Sequence, residues 1–450
     1  MTNSSNEMSF RTVFLLGINS IIGSGIFLLP GNIYANLHNW SIAVILVAAL
    51  ASFAILLCFA NLSSKFSGDG SSWIYTYNAY GRFAGFEVGF DTWVTAIIQL
   101  ASEVAALLTT LKLLLPIMND KIIYNIVAVS IVICLGIINL FGDHVLSIAD
   151  NIASTTKIIM LISIIVCGAF FIHSHNFNNP VDFSQIGLTG TYHRINNSLS
   201  VIMAIFTGFA FIPVAASNMK NSEKTLPKVL VAVMITTSSL YLMIQSVTIG
   251  LLGKSIQSSP IPAASAFHVI LGSYGYYFTL IGLIISTFGV ALSLSFNAPV
   301  VASSLASEHQ LLPSFIAKKN RFGASYIAIL VSVVVASCLL LSGSYLFLVS
   351  CVVITSFIQY IPTILAVFKF RTRKNQPSTA FSLPGGMFIP SLALLASFYL
   401  MFSFSLQITL IGIGILVLGA ILYLLDDHKG QKIHSKIPVN NSLSFIKSIK

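Results

Sequence analysis

Several residues in this chain could do chemistry from inside apolar sequence. Gly23-Ser24-Gly25 interrupts the first long apolar run. The N–H groups freed there, on Ser24, Gly25 and Ile26, form the positive end of a half-helix and suit a carboxylate. Carbonyls freed at Ile21 and from Ala204 to Thr207 suit an ammonium. Together they complement the shared head of an α-amino acid and leave its side chain to a separate pocket. Lys157, in Ala153-Ser154-Thr155-Thr156-Lys157, and Glu103, one turn past Gln99, are ionisable groups deep in apolar runs. Each costs on the order of 3 kcal/mol at the centre of a membrane helix, so each needs a reason.

The elements that must position these groups are membrane helices. Hydrophobic residues make up 56% of the 450 positions and charged residues 8%. Apolar runs recur, and their lengths predict about twelve spans of a bilayer core roughly 30 Å thick. They fall at 12–36, 40–63, 82–115, 122–141, 150–172, 198–218, 227–252, 276–306, 324–342, 346–369, 386–405 and 407–425. The polar gaps at 173–197, 306–323 and 370–385 are too short for a second core. The expected organisation is a cytoplasmic N-terminus (1–11), one transmembrane domain (12–425) and a basic cytoplasmic tail (426–450).

Lys and Arg in short loops stay on the cytoplasmic side. With both termini inside, Lys65, Arg82, Lys220, Lys318, Arg371, Lys374 and most other basic residues are cytoplasmic. Lys112, Lys121, Arg194 and Lys254 alone fall outside. The net charge of +10 then reflects topology, and anionic lipid headgroups at the cytoplasmic face are its expected partners, not nucleic acid. No small-residue cleavage site ends a short apolar region near the N-terminus, so the first span is expected to be retained. The five cysteines all lie in spans without metal spacing and are expected to be free thiols.

Backbone polar groups in hydrocarbon must find partners, so a broken helix has to face a cavity or other protein. The Gly23/Gly25 pair alone also fits close helix packing. The sixth span is harder to read that way: Phe206-Thr207-Gly208-Phe209-Ala210-Phe211-Ile212-Pro213 puts Gly and Pro in mid-span. Breaks in the first and sixth spans fit two five-helix repeats of inverted topology (about 12–172 and 198–369), followed by two extra helices (about 386–425).

At these positions the chain resembles a known family. Ile22-Gly23-Ser24-Gly25-Ile26-Phe27-Leu28-Leu29-Pro30 is similar to the first-helix signature of the amino acid-polyamine-organocation superfamily, in particular its bacterial amino acid permeases and exchangers. Gly68-Asp69-Gly70-Ser71-Ser72-Trp73-Ile74-Tyr75, Gly208-Phe209, the stretch from Asn218 to Pro227, and Ala306 to Pro313 resemble later motifs in the same order. The resemblance covers about residues 8–425. It implies an all-α integral membrane protein with a LeuT-like five-plus-five fold, discontinuous helices one and six, and alternating access around a substrate held between them. There are two departures. Ala210 stands where the family often has Glu, and Ala204 where arginine-agmatine exchangers place a gating Trp.

In related sodium-independent permeases, a Lys matching Lys157 takes the place of a sodium ion beside the first helix. That resemblance implies donation to carbonyls near Gly23, with Ser286 of the eighth span as a further partner, and a role in proton coupling or in stabilising one state of an exchanger. Snorkelling to the headgroups is the alternative. Glu103 would either attract a cationic side chain in the pocket or hold an internal hydrogen-bonded position. Glu87 and Asp91 are expected to be interfacial and hydrated. Ser293, Ser295 and Asn297 put polar atoms on the eighth span, as path lining or as packing. His38, His173, His175 and His193 read as loop residues without metal spacing.

No phosphate-cradling loop, His-Glu-x-x-His pair or nucleophile–base pair is present. The sequence therefore predicts no enzyme, cofactor or metal. It predicts a secondary carrier of amino acids in the cytoplasmic membrane, proton-coupled or exchanging, with neutral substrates favoured. The substrate site would comprise Ile21, Ile22, Gly23, Ser24, Gly25, Ile26, Ala204, Phe206, Thr207, Phe209, Glu103 and Ser295, with Lys157 for coupling. A cationic amino acid or polyamine carrier is the alternative, and a non-transporting amino acid receptor on the same fold is the alternative of another class. Small residues at Ala96, Ala204 and Ala210 would leave room for a sizeable side chain. The oligomeric state is not set by the sequence.

Overall fold

The computed structural model describes residues 8–66, 72–141, 143–178, 181, 183–219, 221–307, 310–372, 380–402 and 404–434, without the side chains of 143–149, 183–186, 188, 215–218 and 426–434. Several positions singled out in the sequence lie outside the described residues: Gly68 to Ser71, Lys220, Glu308, His309, Arg373, Lys374 and the tail from 435.

The first predicted span is three consecutive helices, α1 (Phe10–Ile21), α2 (Gly25–Leu28) and α3 (Pro30–Leu37). Ser9 caps α1 by accepting from the Thr12 N–H at 3.2 Å, satisfying one of the donors a helix start leaves over. There follow α4 (Trp40–Ser63), the short α5 (Ser72–Tyr80), α6 (Arg82–Leu114), α7 (Lys121–Asn139), α8 (Asp143–Ala169) and α9 (Phe183–Phe206). A 3₁₀ helix over Phe209–Asn218 completes the sixth span. Then come α10 (Ser222–Leu252), α11 (Pro262–Ser307), α12 (Tyr326–Ser342), α13 (Tyr345–Thr372), α14 (Phe388–Met401) and α15 (Leu406–His434). Among the described residues nine helices are long and apolar enough to cross a membrane. Three shorter apolar helices, α1, α12 and α14, fall at other predicted spans.

The fold is all-α. Its packing is that of two matched halves. Helix α6, the third span, packs extensively on α11, the eighth, and α4 packs on α10, the second on the seventh. Helix α8 packs on α11 as α13 packs on α6, and α1 packs on α8 as α9 packs on α13. Exchanging the first five spans for the second five leaves this pattern unchanged. The backbone of Met8, before α1, pairs with that of Met219, after the sixth span. The first span therefore starts on the face where the sixth ends, as inverted repeats require.

Departures from the sequence reading are local. Helix α8 begins at Asp143, ahead of the apolar stretch, and α15 continues past Leu425 to His434. Helix α11 begins at Pro262 and bends at Gly272 (φ 60°, ψ −146°), so an extra stretch of helix precedes the eighth span. Glu87 and Asp91, expected to be hydrated, are 9% and 1% exposed because α6 is covered by protein around this end. All five cysteines are free.

Candidate functional site

Helix α1 stops at Ile21 because Ile22 turns extended (φ −81°, ψ 92°), and the chain restarts as a helix at Gly25. Both sides of this break are met by charge. On the carbonyl side, the Lys157 ammonium of α8 donates to the Ile22 oxygen and, at 2.8 Å, to Asn19 Oδ1. Asn19 Nδ2 in turn donates to Asp150 Oδ1 at 2.5 Å, and Ser154 Oγ donates to the Leu15 oxygen at 3.1 Å. Lys157 is fully buried, so it does not snorkel. Ser286 Oγ, proposed as its further partner, is buried without a hydrogen-bond partner.

On the N–H side the group is internal. Ser24 N donates to Glu103 Oε2 at 3.0 Å and Oε1 at 3.2 Å, and Ser24 Oγ donates to Oε1 at 3.2 Å. Ser24 Oγ also lies 3.0 Å from the Tyr345 hydroxyl of α13. A carboxylate thus sits where the half-helix dipole favours one, and it belongs to the protein. The absence of a side chain at 23 makes room for it: a Cβ on Gly23 would stand 2.1 Å from Glu103 Oε1.

The second break meets the first. Gly208, at φ 99°, lies so close to α1 that a Cβ would stand 2.1 Å from the Ser20 oxygen, a position only glycine can fill. Thr207 turns back on the helix end, its N–H and hydroxyl both donating to the Ala204 oxygen at 3.2 and 2.7 Å. Tyr241 of α10 places its hydroxyl 2.7 Å from the Ile205 oxygen and 3.1 Å from the Ile21 oxygen. One phenol bridges carbonyls freed by both breaks.

Between the breaks is a small cavity with Ile21, Gly23, Ser24, Gly25, Glu103, Ala204 and Thr207 on its wall. The structure adds Leu29, Gln99, Ser102, Ile205, Tyr241, Tyr345, Val349 and Val352 to that wall. The Gln99 side-chain carbonyl is buried and has no hydrogen-bond partner.

The remaining expected residues lie off the cavity. Ile22 contributes its carbonyl to Lys157, and Ile26 faces a smaller void against α4 and α10. Phe206 turns edge-on to Tyr241 (5.1 Å, 83°). Phe209 stacks on Tyr360 at 5.0 Å and meets Phe59 edge-on at 5.3 Å, as part of the core below the break. Ser295 accepts from Asn139 Nδ2 at 2.9 Å and so faces α7. Of the small residues expected to make room, Ala204 is on the wall, while Ala96 and Ala210 are buried elsewhere.

Known proteins are similar along this whole stretch. The sequence pattern of the amino acid permease family matches residues 8–433. A serine/threonine exchanger of Bacillus subtilis is 24% identical over 424 residues, which are 91% of this chain and 94% of the exchanger. An uncharacterised transporter of Mycobacterium tuberculosis is 27% identical over 383 residues, 79% of this chain and 78% of its own length.

Proposed function

The chain belongs to the amino acid permease family, and on that premise we propose that it carries neutral amino acids across the cytoplasmic membrane, both termini inside, by alternating access. It is a multi-pass membrane transporter and not an enzyme. In the proposed cycle it works without sodium, as a proton-coupled symporter or an amino acid exchanger.

One observation carries the reading: a single helix break is neutralised on its carbonyl side by Lys157 and on its N–H side by Glu103. The ammonium stands where a cation would otherwise bridge the freed carbonyls, which supports sodium independence. The Glu103 carboxylate stands where a substrate carboxylate would bind, and two carboxylates cannot share the Ser24 N–H. An entering amino acid therefore displaces Glu103. The released carboxylate turns to the substrate ammonium, keeping charge balanced in a site poor in water. The Ile205 carbonyl serves the Tyr241 hydroxyl and keeps a second lone pair for that ammonium, whereas the Ile21 carbonyl already accepts from both that hydroxyl and the Gly23 N–H.

The side-chain end of the cavity has Val349 and Val352 on one side and the unpartnered Gln99 carbonyl on another. That suits a small side chain with a hydroxyl, in line with the serine/threonine exchanger named among the relatives. Glu103 on the wall also favours a second reading, a cationic amino acid or polyamine. Thermal-shift binding of the twenty amino acids and common amines separates the two. Stabilisation by serine, threonine or other neutral amino acids is the expected result. Stabilisation by amines alone would overturn the head-group argument, and binding without counterflow of labelled substrate in proteoliposomes would overturn transport.

A further inference from the structure

Helix α6 carries more acid than the substrate site uses. Besides Glu103 it holds Glu87 and Asp91, four residues apart and so on one face of the helix. Asp91 is 1% exposed and Glu87 9%, and none of their four carboxylate oxygens has a hydrogen-bond partner. Buried polar groups in folded proteins are almost always paired, and an unpaired buried carboxylate is among the costliest exceptions.

Among the side chains that the structure describes, which exclude those of 426–434 on α15, the elements packed around this end of α6 offer no compensating cation. Arg82, at the start of α6, donates to the Gln310 oxygen at 2.8 Å, and Lys369 of α13 lies over the Tyr80 ring at 4.6 Å. Helix α15 presents Gly419, where a Cβ would stand 2.7 Å from Glu87 Oε2, and Tyr423, packed on Phe83 and Phe86. Helix α5 presents Tyr77 against Gly85, and α11 presents Leu305 against Gly89. On α12 the Ser332 hydroxyl is taken by Trp93, and on α13 Gln359 accepts from Ser72 and Thr92. The ionisable groups of α7 are Lys121 and Tyr124 at its far end and Cys134, exposed.

We propose that Glu87 and Asp91 form a proton-holding site at the Arg82 end of α6, separate from Lys157 and from the substrate cavity. A proton on either carboxyl removes the repulsion between two like charges one helical turn apart and lowers the cost of burying them. A metal cation of the hard, oxygen-seeking kind takes about six ligands or more, and the pair supplies four oxygens. Glu87 is the shallower group and lies against the glycine face of α15, so protons enter and leave there and reach Asp91 one turn deeper. The site rests on the reading of the chain as a carrier and adds to it a second titrating centre on the span that also holds Glu103.

The test is labelling of the purified full chain with a hydrophobic carbodiimide. This reagent takes up a protonated carboxyl: the proton goes to one nitrogen, the carboxylate oxygen bonds the central carbon, and rearrangement leaves a stable N-acylurea. Peptide mapping should find the adduct on the segment holding Glu87 and Asp91. Above the midpoint its yield should fall about tenfold per pH unit. It should vanish in Glu87→Gln/Asp91→Asn and persist in Lys157→Ala. No adduct there at any pH, or labelling blocked by sodium and indifferent to pH, would overturn the proposal. The labelling needs no transport, so a carrier silent in counterflow would refute the transport reading and leave the proton site standing. In proteoliposomes the double variant should lose accumulation driven by a pH gradient, measured against its own counterflow. Unchanged gradient-driven accumulation would separate the pair from coupling and overturn its role.

Discussion

Placing a methyl group on residue 23 tests the site most directly. Gly23 is not among the positive-φ residues, so alanine meets no backbone objection there. The obstacle is one side chain: the new Cβ would lie 2.1 Å from Glu103 Oε1, 2.9 Å from its Cδ and 3.2 Å from Oε2. The carboxylate must therefore leave Ser24, giving up charge-assisted bonds of about 1.5–3 kcal/mol each. A buried charge stripped of its partner costs about 3–5 kcal/mol, so Gly23→Ala is expected to destabilise by that order. Glu103→Ala leaves the Ser24 N–H uncapped and should cost about 1–3 kcal/mol. In the double variant the clash has no partner, and its stability should return to near that of Glu103→Ala. The expected coupling is then about 3–5 kcal/mol, large enough to read in an unfolding titration in mixed micelles. A double variant that loses the sum of both single effects would refute the claim that the glycine exists to admit Glu103.

Two further outcomes follow from the same geometry. Lys157→Ala leaves the Ile22 carbonyl and Asn19 without their donor, and it should abolish accumulation driven by an inward proton gradient while reducing stability by about 1–3 kcal/mol. Proteoliposome uptake with and without the gradient checks this, and retained gradient-driven accumulation would remove Lys157 from coupling. Tyr241→Phe keeps the ring on Phe206 but withdraws the hydroxyl from Ile21 and Ile205, so it should cost about 1–3 kcal/mol in thermal unfolding. Since the Ile205 carbonyl is also the proposed ammonium acceptor, substrate should bind the variant no more than a few-fold differently from wild type, about 1 kcal/mol by the same scale.

The breaks were legible because glycine and proline in mid-membrane announce themselves locally. What caps them was not. Glu103 is 79 residues from Ser24 along the chain and reaches it only because α6 lies beside α2 in the folded bundle. Tyr241 sits in an unbroken span with no mark of function, and Asn19 and Asp150 read as ordinary polar residues until α1 and α8 are brought together. Lys157 was legible through family resemblance, since charge alone left snorkelling open. Phe206, Phe209 and Ser295 sat near the breaks or on the right span, but a side chain's direction depends on helix rotation, which neighbouring sequence does not set. The short helix α5 and the start of α11 are too short or too polar to register as spans.

The hydroxyl of Tyr241 has a single proton and two carbonyls to serve, one from each half of the molecule. It therefore acts as a pin through two leaves of one hinge. Gly208 is pressed on the Ser20 carbonyl beside it, so the first span and the unwound part of the sixth touch at two points. The two halves are thus joined at the depth of the cavity, and in the proposed alternating-access cycle opening toward either side of the membrane would start from this shared pivot.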